Sequence, residues 1–137
     1  MTNSTSQIRS IRNKNPGNIR HGDNWQGRAA EQPDPDYITF VSEEYGARAL
    51  MINLRTYMVN YGINTISGII SRWAPPTENN TAAYISAVSA RIGQGPHVAL
   101  PFDKTPVTQI AHAIAHHETG NGHFSLGLFQ RAWDMYL

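Results

Sequence analysis

Helix punctuation restricts this chain more than any other feature. From Ser42 onward, capping residues and stops alternate with apolar residues at helical spacing. Ser42 is a candidate N-cap, with Glu43 and Glu44 in the first turn, where the helix dipole favours anions. Leu50, Leu54, Tyr57, Met58 and Tyr61 recur on one face, which predicts a helix over Glu43–Asn60, ended by Gly62. Thr65 can cap a short second helix carrying Ile66, Ile69, Ile70 and Trp73, stopped by Pro75 and Pro76. Asn80 can cap a third through Tyr84, Ile85, Val88 and Ile92, with Gly93 just past its end. Thr105 followed by Pro106 reads as a cap and a first helical residue. The fourth helix then carries Val107, Ile110, Ala113 and Ile114 into His116-His117-Glu118, with Gly120 as its stop. A last helix is predicted over Ser125–Tyr136.

Such a pattern implies a mostly α domain. The exception is the N-terminal third, Ile8 to Asp36, which is rich in Asn, Gly, Arg and Pro. Turn signals at Asn15-Pro16-Gly17 and Gly22-Asp23 separate short stretches that suit strands, "NIRH" and "YITFV". The expected class is therefore mostly α (α+β), with a small β/loop-rich N-terminal section. Residues 11–137 are expected to form one domain, and residues 1–10, largely polar, a disordered arm. Lys plus Arg number 11 against 10 Asp plus Glu, a balance that argues against nucleic-acid binding through a bulk basic field. With no cysteine, disulfides and thiolate zinc sites are excluded. No apolar run approaches the roughly 20 residues that span a bilayer, so membrane insertion is not expected. The start of the chain lacks the apolar segment of a secretory signal, so synthesis in the cytoplasm is expected.

Chemistry concentrates in "AHAIAHHETGNGH", residues 111–123. Glu118 falls in the last turn of its helix, where the dipole disfavours a carboxylate by a few tenths of a kcal/mol up to about 1. A carboxyl group in such a place, at a cleft edge beside apolar residues, meets the condition for a general acid near neutral pH. Gly120 and Gly122 let the chain turn away and leave it accessible. A solvated helix end is the plainer alternative. His112 and His116, four apart, share a helix face and could offer two nitrogens to zinc. The stretch lacks the H-E-x-x-H arrangement, however, and a third ligand would have to come from His123, His21 or a remote acid. Histidines in a last helical turn also complement the dipole. We therefore expect neither a metal nor a cofactor, with a zinc amidase as the third-ranked function.

The stretches "RNKNPGNIRHGDNWQG", "FVSEEYGARALMINLRTY" and "GINTISGIISRWAPPTENNTAAYISAV" resemble a family of phage and prophage virion structural proteins, the structural protein P5-like group. The shared motifs are N-P-G-N-I-R, W-x-G, G-x-R-A, W-A-P-P-x-E-N-x-T-x-x-Y and a terminal H-E-x-G. They cover about Arg12 to Gly120. This resemblance implies a phage protein that is virion-associated, with other virion proteins as partners.

The same segments, in a different order, resemble a flagellar-type peptidoglycan glucosaminidase of the lysozyme-like superfamily. Those enzymes carry A-L-E-S-G-W-G, then N-L-F-G-I-K, W-x-G, F-R-x-Y with a following helix, and G-Y-A-T-D-P-x-Y. Here "AHHETGNG" is similar to the first, "NPGNIR" to the second, "NWQG" to the third, "ITFVSEEYGARALMINL" to the fourth and "WAPPTENNTAAY" to the last. The glutamate helix lies at the C-terminus and not before N-P-G-N-I-R, the pattern of a circular permutation. The resemblance implies a lysozyme-like single domain acting on peptidoglycan, delivered to the periplasm or cell wall. In that reading Glu118 is the general acid. Thr119 replaces the usual serine and keeps a hydroxyl for substrate, and Tyr84 takes the place of a tyrosine near the acid. A second carboxylate, where one is used, has candidates in Glu31, Asp34 and Asp36; Glu43 and Glu44 fit better as first-turn dipole partners. A substrate N-acetyl group is the other option.

Further substrate-binding candidates follow from residue type. Trp25, flanked by Asn24 and Gln26 in a Gly-rich loop, is the preferred aromatic for a cleft. Trp73 ends an apolar stripe, so core packing competes with sugar stacking. Asn79 and Asn80 suit an acetamido group, although Asn80 also serves as a cap. Asn18 and Arg20 either line the cleft beside Glu118 or brace their loop. The function expected is a phage peptidoglycan glycan-strand hydrolase, of glucosaminidase, muramidase or transglycosylase type. The alternative is a non-enzymatic virion structural protein that binds glycan.

Overall fold

The computed structural model describes residues 8–137. Residues 1–7 of the expected arm lie outside the described residues, while its last two, Arg9 and Ser10, begin a short helix, α1 (Arg9–Arg12). Five longer helices follow: α2 (Glu43–Arg55), α3 (Ile66–Trp73), α4 (Thr81–Ile92), α5 (Lys104–Thr119) and α6 (Leu126–Tyr136). The architecture is mostly α. Strand content among the described residues is limited to two isolated antiparallel bridges, Arg20 with Tyr37 and Arg28 with Phe40. The stretches expected to form strands are thus extended loop, and the N-terminal section is loop-rich rather than β.

Four helices begin where a side chain can accept from the first free N–H groups. Ser42 accepts from Tyr45 N at 3.2 Å, Thr65 from Gly68 N at 3.0 Å, Asn80 from Ala83 N at 3.2 Å and Ser125 from Leu128 N at 3.2 Å. Helix α5 departs from expectation. Its cap is Asp103, so Thr105 and Pro106 are its second and third residues. Proline is tolerated there because the first N–H groups of a helix have no intrahelical acceptor. Gly93 and Gly120 close α4 and α5 at φ +74° and +80°, left-handed values that glycine adopts without strain. Helix α2 runs directly into a π-helical turn, Thr56–Asn60, so the long predicted helix exists with its last turn widened.

Helix α5 is the centre of the molecule. It packs against α1, α2, α4 and α6. Val107, Ile110, Ala111, Ala113, Ile114 and Ala115 are all buried, leaving little of it wet. They join Leu50, Leu54, Ile66, Ile69, Ile70, Val88, Leu128 and Phe129 in the main core. Burying each large aliphatic side chain is worth about 1.5–3 kcal/mol. No helix among the described residues is long and apolar enough to cross a membrane.

A smaller core holds the N-terminal section: Ile19, Ile38, Phe40 and Ala49, covered by Trp25, Tyr45 and Trp73. Without a full sheet ladder, its backbone groups are satisfied partly by backbone bonds across the loop, such as Ile38 N to Ile19 O at 3.0 Å and Phe40 N to Asn13 O at 2.9 Å, and partly by side chains. The buried Asn15 amide donates to Ile19 O at 3.0 Å and Ile38 O at 2.9 Å, and its oxygen accepts from Ile19 N at 2.9 Å. Buried Asp34 accepts from Arg9 at 2.7 and 3.0 Å, from Asn13 at 2.9 Å, and from the backbone of Asp36 and Tyr37 at 2.9 and 3.1 Å. Gly46 lets α2 press on this loop, since a Cβ there would stand 2.0 Å from Lys14 O.

Candidate functional site

The motif "NPGNIR" builds one wall of a cleft, and five of its residues have separate reasons. Asn15 is the buried amide that closes the loop. Gly17 lies so near Trp73 that a Cβ would meet its ring at 3.1 Å. Asn18 takes a left-handed conformation, φ +48°, which asparagine tolerates better than most residues. Its Nδ2 points at Glu118 Oε1, 3.4 Å away. Ile19 anchors the minor core. Arg20 stays exposed at the rim, its guanidinium 5.2 Å from the Tyr37 ring centroid.

The motif "WAPPTENNTAAY" builds the opposite wall. Trp73 is the last residue of α3, and Pro75 ends that helix. The connection to α4 is pinned by its own hydrogen bonds. Glu78 N donates to Pro75 O at 3.1 Å, Asn79 Nδ2 donates to the same oxygen at 3.2 Å, and Thr81 Oγ1 donates to Ala74 O at 2.5 Å. Helix α4 then carries Tyr84 inward, and its hydroxyl donates to Glu118 Oε2 at 2.7 Å. Burial, then the negative charge of Glu118, hold the Tyr84 proton far above the ordinary phenol range, so the hydroxyl remains a donor. His117 stacks on the Tyr84 ring with centroids 3.7 Å apart.

Glu118 thus sits between two adjoining cavities. The larger, about 330 Å³, is walled by Asn18, Arg20, Tyr37, Tyr57, Trp73 and Glu78 among others. The second, about 280 Å³, is lined by Asn79, Asn80, Ala83, Tyr84, His117 and Glu118. Asn79 and Glu118 border both. Tyr57 comes from the π-helical turn, a feature often found at functional sites. Burial raises the Tyr57 phenol as well, keeping it a neutral hydroxyl on an aromatic face.

Of the residues singled out in the sequence, Glu118, Tyr84, Asn18, Arg20, Asn79 and Trp73 converge here, and Asn80 borders the second cavity. Two do not. Trp25 lines neither cavity; its ring covers the minor core, and its indole N–H has no partner among the described residues. Flanking polar residues had suggested a cleft, but Ile19, Ile38 and Phe40 offered it an apolar surface. Thr119 is buried, its Oγ1 2.7 Å from Ser10 Oγ, because one step along a helix turns a side chain about 100° away from Glu118. It links α5 to α1 and lines neither cavity.

The candidate second carboxylates are also displaced. Asp34 is locked in its knot of donors, with Arg9 first among the causes that hold its carboxyl well below the usual range. Asp36 pairs with Arg9, Glu43 with His123 and Glu44 with Arg131. Glu31 lies outside both cavities. Glu78, Tyr37, Tyr57 and Asn53, which no spacing rule had marked for a site, line the cleft instead. His21 bonds the Asp34 carbonyl at 2.8 Å and His123 bonds Glu43 at 2.8 Å, so neither joins His112 and His116. Among the described residues no three His, Asp or Glu side chains are grouped to hold a metal ion.

No family model matches the chain. Over 89 residues it is 43% identical to Protein P5 of Pseudoalteromonas phage PM2. That stretch is 62% of this chain and 56% of the phage protein, so the chain spans about half the length of that relative. The chain therefore has a homologue among phage proteins, which supports a phage protein family.

Proposed function

We propose that this phage-protein homologue is a lysozyme-like, circularly permuted glycoside hydrolase of the bacterial cell wall, with Glu118 as its general acid. The observation that carries the reading is the setting of Glu118. Its carboxylate lies between two cavities, oriented by Tyr84 at 2.7 Å and faced by Asn18 at 3.4 Å. The larger cavity combines aromatic faces (Trp73, Tyr57, Tyr37) with amide groups, the mixture that suits sugar rings bearing acetamido substituents. A strand lying across both cavities brings a bridging oxygen to Glu118, and the protonated form of Glu118 gives that oxygen its proton as the bond breaks. Peptidoglycan is the substrate class, and association with a virion is the proposed setting.

The test is digestion of purified sacculi at about pH 5 to 8, with products read by mass spectrometry. Wild-type protein is expected to release muropeptides. Glu118→Gln, which keeps shape and loses the transferable proton, is expected to lower release by about 10²-fold or more. Sacculus binding without any release by the wild type would move the reading to a non-enzymatic virion structural protein that binds glycan. Full activity of Glu118→Gln would remove the general-acid assignment.

A further inference from the structure

We propose that Glu78 is the second carboxylate of this site, the base that takes a proton from the attacking water; the assignment rests on the glycosidase reading above. Among the described residues, the only carboxylates lining the larger cavity are Glu78 and Glu118. The other acids near the site are engaged, since Asp34 and Asp36 are held by Arg9, Glu43 by His123 and Glu44 by Arg131. No hydrogen bond or ion pair occupies the Glu78 side chain among the described residues, and the residue is exposed to water at the cleft. Its backbone is nevertheless fixed: its own N–H and the Asn79 amide both bond Pro75 O, at 3.1 and 3.2 Å. A free carboxylate carried on a pinned turn gives a base a fixed point of attachment at the cleft and no competing partner.

The two cavities also give the reaction a direction. Glu78 borders only the larger one, whereas Glu118 borders both. The sugar that is attacked therefore lies in the larger cavity against Trp73 and Tyr57. The departing sugar lies in the smaller one, beside Asn79, Asn80 and His117. In the step itself, the water oxygen bonds to the anomeric carbon and its proton passes to Glu78. The bond from that carbon to the bridging oxygen breaks, and the oxygen takes the proton of Glu118. One water is consumed, and the product carries an inverted anomeric centre.

The experiment compares wild type, Glu78→Gln and Glu78→Ala in the full chain on soluble glycan strands, with circular dichroism to verify folding. Glu78→Gln is expected to lower kcat by about 10²–10⁴-fold while KM stays within about threefold. Formate is expected to restore at least about tenfold of the kcat lost in Glu78→Ala, and proton NMR of fresh wild-type product is expected to show the inverted anomer. Unchanged kcat in Glu78→Gln, a loss confined to KM, absence of rescue, a retained anomer or an anhydro product would each overturn the assignment while leaving Glu118 as the acid. Lack of any bond cleavage by the wild type would overturn both.

Discussion

Single residues at this site divide by what they touch. Tyr84 and Asn18 reach Glu118 directly, whereas Asp34 acts at a distance by holding the loop that presents Tyr37. The Asp34 side chain is 1% exposed and the Arg9 side chain 41%, so water screens the Coulombic part of the pair. The buried hydrogen bonds to the carboxylate matter more, and Asp34→Asn is expected to cost about 1.5–3 kcal/mol at neutral pH. The sign of its pH dependence follows from the lowered folded-state value. The stabilisation is complete above the unfolded aspartate value of about 3.9 and is lost as pH falls below it. Urea denaturation of both proteins is therefore expected to show a gap that is constant from about pH 7 to 5 and narrows towards pH 2. A gap independent of pH would mean that the carboxylate charge contributes nothing.

Among the elements, α2 and α6 differ in what a glycine does. Gly to Ala within a helix ordinarily gains up to about 1 kcal/mol. In α6, a Cβ added at Gly127 would have as its nearest neighbour the Arg131 side chain of the same helix, 3.5 Å away, and Gly127→Ala is expected to gain about 0.5 kcal/mol. In α2, a Cβ on Gly46 would meet backbone oxygen of Lys14 at 2.0 Å, and Gly46→Ala is expected to lose about 1–3 kcal/mol. Because Lys14 leads into Asn18, on the proposed glycosidase reading this substitution is also expected to weaken glycan binding, measured by calorimetry beside thermal melts. Equal shifts in the two variants would show that α2 does not rest on the loop. These contacts also mark the limit of the sequence. Caps at Ser42, Thr65 and Asn80 were legible because a cap and its N–H lie three residues apart, whereas Ser125, expected as the first residue of its helix, is its cap. The choice between Trp25 and Trp73 was not, since it depends on which apolar surface meets each ring after folding. Glu78 gave no periodic signal, as it lies in a turn between helices. Glu118 stood out only because its glycines and its place at a helix end are local features.

At the scale of the whole molecule, the site joins segments far apart in sequence: Asn18 and Glu118 are 100 residues apart, and the Ser10–Thr119 contact spans 109. Helix α5 makes this possible by running through the core and ending at the cleft, with α1 laid against it. The hydroxyls of Ser10 and Thr119, 2.7 Å apart and buried, are the polar seam of that junction. Thr119→Val keeps the shape and leaves the Ser10 hydroxyl without this partner, at a cost of about 1–3 kcal/mol. Ser10→Ala does the reverse. With both hydroxyls gone no polar group is stranded, so the double variant is expected to be less destabilised than the sum of the singles by about 0.5–3 kcal/mol. The same cycle distinguishes bracing from substrate contact. On the proposed glycosidase reading, if Thr119 only braces α5, kcat is expected to track stability across both single variants and the double variant. If Thr119 touches substrate, kcat is expected to fall in Thr119→Val and in the double variant by more than their stabilities account for, and not in Ser10→Ala. Additive stabilities across the cycle would mean that α1 is not coupled to the end of α5 through this pair, and that another contact sets the position of Glu118.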